Sequence, residues 1–100
     1  MKVQNMTSNR WGSEGRVIPN QFIITDDNGD IFFQSYETII AKKVNRDTAE
    51  PFALGQIYLD HKWAYSVTTG KYRNQFLGET RRETEAKIKD GTYIVTDLNS

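Results

Sequence analysis

Residues 16–36 carry two runs dense in β-branched and aromatic side chains, RVIPNQFIIT and IFFQSY, separated only by DDNGD. This arrangement constrains the fold more than any other feature of the chain. β-Branched and aromatic residues suit a pleated, half-buried surface. A short Asn-Gly cluster between two such runs is the strongest local hairpin signal. Pro19 lacks an amide donor and marks an edge or the start of a strand. TIIAKKV (38–44) reads as a third strand, with a short helix through ETIIAKK as its alternative. NRDTAEP is a polar loop, and FALGQIYLD (52–60) gives a fourth strand around positions 56–59.

The period changes after His61. Tyr72 and Phe76 stand four apart with Leu77 beside them, on one helical face. Gly78 suits a left-handed cap. Thr80 and Glu83 form a capping box that opens a second helix, with Lys87 and Lys89 in its last turn and Gly91 as its stop. TYIVTDL (92–98) closes as a strand. The expected order is β-β-β-β-α-α-β: an α+β fold with a small, mainly antiparallel sheet of about four to five strands, a C-terminal helix pair and a closing strand. Residues 16–100 form this single domain, and residues 1–15, polar and glycine-containing, read as a mobile N-terminal arm. Trp11 in that arm either folds back locally or anchors a partner. Tyr65, Tyr72, Phe76 and Ile88 are the expected core joining helices to sheet.

Chemistry-bearing constellations are sparse. With no cysteine in the chain, thiolate catalysis, thiolate metal sites and disulfides are excluded. His61 is the single histidine, so a two-histidine metal site is excluded, and Asp60 beside it would point to the opposite strand face. DDNGDIFFQSYE places Asp26, Asn28, Asp30 and Glu37 at positions 1, 3, 5 and 12 of a calcium loop. However, Ile31 stands where that loop needs glycine, and its flanks are strands rather than helices. Ser66, Thr68 and Thr69 suit helix capping better than nucleophilic chemistry. No catalytic residue, cofactor or metal ligand is expected.

QFLGETRRETEAKIKDGTYIV (75–95) has the outline of a helix-turn-helix. With Gly78 as the turn glycine, that motif wants apolar residues at 73, 79, 84 and 87. The chain offers Arg73, Glu79, Thr84 and Lys87, so a groove-reading helix is disfavoured. Glu83–Lys87 and Glu85–Lys89 are expected as i,i+4 pairs, which leaves Arg81 and Arg82 over. Together with Lys71 and Arg73 flanking Tyr72, these form either a basic and aromatic surface for phosphate or an acidic protein, or simply a solvated helical face. The 13 basic and 13 acidic residues give net charge +0, against non-specific attraction to nucleic acid.

Three segments resemble short bacteriophage proteins of unassigned function: VIPNQFIITDDNGDIFFQSYETIIA, YLDHKWAYSVTTGKYRNQFLG and IKDGTYIVTDLN. The shared features are a PNQF strand, an FQSY…IA segment, a W-x-YS-x-TT-x-KY helix start and a closing G-x-Y…LN, over residues 17–99. The 45–55 loop looks longer than the family's usual connection. This resemblance implies a phage or prophage origin and carries over no catalytic residues. The expectation is a small non-enzymatic accessory protein that binds a host or defence-system protein through Lys71, Tyr72, Arg73, Arg81, Arg82 and Trp11. Nucleic-acid binding by the helix-pair surface is the alternative, and self-association stays open. The start, MKVQNMTSNRWGSEG, lacks a signal-peptide apolar run, so the expected location is the host cytoplasm, with no membrane partner.

Overall fold

The computed structural model describes residues 1–7, 16–44 and 55–99. Six strands and two helices follow in the order β1 (Lys2–Thr7), β2 (Val17–Thr25), β3 (Ile31–Ser35), β4 (Thr38–Lys43), β5 (Ile57–Asp60), α1 (Val67–Leu77), α2 (Arg81–Lys89) and β6 (Tyr93–Thr96). The strands form one sheet in chain order. Every neighbouring pair from β1 to β5 is antiparallel, and β6 returns through the helices to lie parallel to β5.

Local chemistry explains the joints. In the β2–β3 hairpin the Asp26 carboxylate accepts the amides of Asn28 and Asp30, both at 2.9 Å, and Gly29 takes φ +84°. Ser66 caps α1 by accepting the amide of Thr69. Gly78 ends α1 at φ 70°, donating to the carbonyl of Asn74. Thr80 and Glu83 complete the capping box of α2 reciprocally. TIIAKKV is a strand, and a bulge lies opposite the Phe33–Gln34 step.

The strand count is six, not four to five. Residues 2–7 leave the expected arm and pair with β2, from Lys2 opposite Thr25 to Thr7 opposite Val17. An edge strand draws its hydrogen bonds from its neighbour, so KVQNMT needs little apolar content, and Met6 alone is buried there. Trp11 and the 45–54 stretch lie outside the described residues.

The core lies between the sheet and the helices. It consists of Met6, Phe33, Ile40, Ala41, Leu59, Phe76 and Tyr93. Phe76 stacks on Phe33 with ring centroids 5.8 Å apart. Tyr72 and Ile88 pack against this cluster half-buried. Tyr65 does not join it: at 50% exposure it precedes α1 in the connecting turn and faces outward.

Candidate functional site: a cationic cleft at the start of α1

The inner face of α1 carries buried Thr69, Arg73 and Phe76, at the i, i+4, i+7 spacing of one helical stripe. Thr69 Oγ1 shares a buried 2.9 Å hydrogen bond with Ser35 Oγ of β3. Arg73 is therefore not the solvent-facing cation expected from its charge, since it is 1% exposed. Its Nη1 donates to the carbonyl of Trp63 at 2.7 Å and its Nη2 to Asn74 Oδ1 at 2.9 Å. Nε, equally buried, has no acceptor. The guanidinium carbon lies 5.1 Å from the Trp63 ring centroid. Arg81 of α2 approaches the same ring at 5.6 Å. Both are cation–π distances.

Among the described residues Arg73 makes no ion pair. Burial, and then the like charge of Arg81, lower its pKa, against a weaker pull from Glu79 and Glu85. A guanidinium held by neutral oxygens is fixed in place without its charge being neutralised. It lines a cleft of ≈580 Å³ whose other walls include Tyr65, Ser66, Val67, Lys71 and Arg81. Val67 is 92% exposed. Lys71 reaches over the Tyr72 ring at 5.3 Å, and Arg81 is bridged to Glu85 at 2.8 Å across exposed α2. The cleft therefore offers cations beside an exposed apolar pair, an arrangement fitted to a carboxylate or phosphate next to an apolar group.

The sequence-derived residues separate on this geometry. Lys71, Arg73 and Arg81 converge on the cleft. Tyr72 turns to the core, and Arg82 stays on exposed α2 outside the cleft lining. Trp63, which joins the two arginines, was legible only as the aromatic of the W-x-YS segment before the helix cap. The expected Glu83–Lys87 and Glu85–Lys89 pairs are replaced. Glu83 is committed to the capping box, Glu85 takes Arg81, and Lys87 reaches back to Glu79 at 2.8 Å.

The four positions that a helix-turn-helix would make apolar thus turn toward the fold, but they do so as polar residues. Beyond Arg73, Glu79 accepts Thr84 Oγ1 at 2.7 Å, Lys87 Nζ at 2.8 Å and Tyr93 Oη at 2.5 Å. Burial would raise the Glu79 carboxyl, but these hydrogen bonds outweigh it and hold its pKa low. The Tyr93 hydroxyl is pushed up to about 12 by burial and by Glu79.

Other concavities offer less. The cleft between β1, β2 and α1 holds ≈760 Å³, but none of its lining residues is titratable. His61 shares a shallow cleft with Asp60 and Asp97. The Asp60 oxygens are committed to the backbone amides of Leu98 and Lys62 at 2.8 and 2.9 Å. Burial would raise that carboxyl as well; the two amides, with the Asn99 side chain and His61, outweigh it and lower its pKa. Among the described residues no cluster of three metal-ligating side chains occurs, and no helix is long and apolar enough to cross a membrane.

No curated protein and no solved structure matches the chain. A family model does match, over residues 1–93. The chain belongs to DUF8033, a family of unknown function.

Proposed function

We propose that this chain is a small non-enzymatic binding protein whose cationic cleft docks an acidic segment of a protein partner. The observation that carries this reading is the buried Arg73 charge, which makes no ion pair among the described residues and is set beside exposed Tyr65, Val67, Lys71 and Arg81. A partner that brings one carboxylate and one apolar side chain would neutralise the first feature and cover the second. The resemblance to small phage proteins supplies the class of partner: a host or defence-system protein in the bacterial cytoplasm, with an anti-defence role as its sharpest form.

The test is affinity capture from bacterial lysate, with and without nuclease, using the wild type and a Lys71→Glu/Arg81→Glu variant. The expected result is a nuclease-resistant protein bound by the wild type and lost by the variant. Equal capture by both would remove the cleft from the interaction. Nuclease-sensitive capture, with duplex affinity falling steeply in salt, would promote the nucleic-acid alternative built on Lys71, Arg81 and Arg82.

A further inference from the structure

The helices cover one face of the sheet, and the register fixes what the other face carries. Val3 stands opposite Ile24, Ile24 opposite Phe32, Phe32 opposite Lys42, Lys42 opposite Tyr58 and Tyr58 opposite Ile94. Directly paired residues point to the same side of a sheet. One cross-strand row therefore spans all six strands on the side away from α1 and α2, and five of its six members are apolar or aromatic. The neighbouring row adds Asn5, Phe22, Gln34 and Ile39 by the same registry, with Asp60 and Thr96 at its far end. The outer ends are open: Val3 is 57% and Ile94 42% exposed.

We propose that this face is a dimerisation surface, on which a second copy of the chain lays its own open face to form a two-sheet sandwich. Charge favours a second copy over nucleic acid. Lys42 is the one cation that the register places on this face among the described strands. It is already used within the chain, lying 3.6 Å from Asp30 and 5.3 Å from the centre of the Phe32 ring. Closing the face therefore strands no unpaired charge, whereas a phosphate backbone would find no free cation. With 13 residues of each sign, net charge +0, two copies meet without net repulsion. Extent agrees as well. Six strands at the usual spacing are about 29 Å wide, and two side-chain rows deep the face projects roughly 400 Å². That is about half of the ~800 Å² per partner of a standard interface and is the size class of a weak, reversible dimer. The row is apolar at both ends, with the Phe32–Lys42 pair at its centre, and an isologous two-fold contact would bring each end against its counterpart.

Sedimentation velocity of the full chain over a concentration series tests this. The wild type should show a monomer–dimer equilibrium, and Val3→Glu/Ile94→Glu, which alters only exposed positions, should weaken it at least about tenfold. Ile94→Thr retains β-branching and should weaken it less, which covers the case in which the double variant fails to fold. Three results would overturn the proposal: a wild type that stays monomeric into the millimolar range, a dimer that all three substitutions leave unchanged, or salt-sensitive binding of a single-stranded oligonucleotide that competes with self-association.

Discussion

Two charges are folded inward where the helix pair meets the sheet, and they are treated in opposite ways. Glu79 finds three donors, from Thr84, Lys87 and Tyr93, and its charge is answered by Lys87. Arg73 finds two neutral oxygens, a ring it shares with another cation, and a cleft. A saturated buried charge belongs to the scaffold, because removing any member strands the others. A buried charge without a counter-ion is held in place by the fold without neutralising itself. The first kind explains how α2 is fixed to β6, and the second leaves a charge that no ion pair answers among the described residues.

The largest effect should come from the residue between them. Phe76 stacks on Phe33, and its carbonyl accepts Lys43 Nζ at 2.7 Å, so it anchors the helix segment that sets both charges. Phe76→Ala should lower unfolding free energy by about 3–5 kcal/mol. Chemical denaturation reads this directly, and an unchanged midpoint would mean that neither charge depends on that anchor. Next comes Glu79→Ala, expected to cost about 2–3 kcal/mol because three donors lose one charged acceptor. A loss below about 0.5 kcal/mol, the level of an ordinary surface substitution, would show that the network is ornamental and erase the contrast with Arg73.

Where local chemistry decides, the fold was legible in the sequence. The DDNGD hairpin, the Ser66 cap, the Gly78 stop and the Thr80–Glu83 box each satisfy backbone groups within a few residues. Where a distant neighbour decides, it was not. KVQNMT is a strand because β2 supplies its ladder. Arg73 lies on the same helical stripe as Phe76, but its charge argued for the surface, and its burial rests on Trp63 ten residues upstream, through carbonyl and ring, and on the Asn74 side chain. Lys87 had a local partner in Glu83 at i,i+4, yet it reaches Glu79, eight residues back, because the turn at Gly78 folds that carboxylate over α2. Of the residues named from the sequence, Lys71, Arg73 and Arg81 line one cleft, and the Trp63 ring between the two arginines was not among them.

The protonation behaviour of the saturated site sharpens the comparison at a smaller scale. Tyr93 is raised to about 12, so the fold favours its neutral form. That contribution is intact below the ordinary value of 10.0 and is lost as pH rises through the window between them. Glu79 is lowered, so its contribution holds above the ordinary carboxylate range and fades as pH falls through it. Stability should therefore be flat near neutrality and fall on both sides. Glu79→Gln should flatten the acid limb and bring tyrosinate absorbance up at lower pH. Identical limbs in both proteins would place the titrating groups elsewhere.

The smallest effect on stability should come from the charge that looks most out of place. Methionine fills much the same length as the arginine stem beneath Gly70, whose added Cβ would lie 3.6 Å from Arg73 Nη1, so Arg73→Met leaves little cavity. It removes a desolvated cation repelled by Arg81, and it strands only the Trp63 carbonyl and the Asn74 side chain. Replacing a buried charge by an apolar group of similar volume is often neutral or stabilising. The expected change in unfolding free energy is within about 1 kcal/mol of zero, by denaturation in parallel with Glu79→Ala. The same variant should lose the captured partner, since the cleft would keep its shape and lose its central cation. A loss of several kcal/mol would make Arg73 a scaffold residue like Glu79, and the cleft would then owe its charge to Lys71 and Arg81 alone.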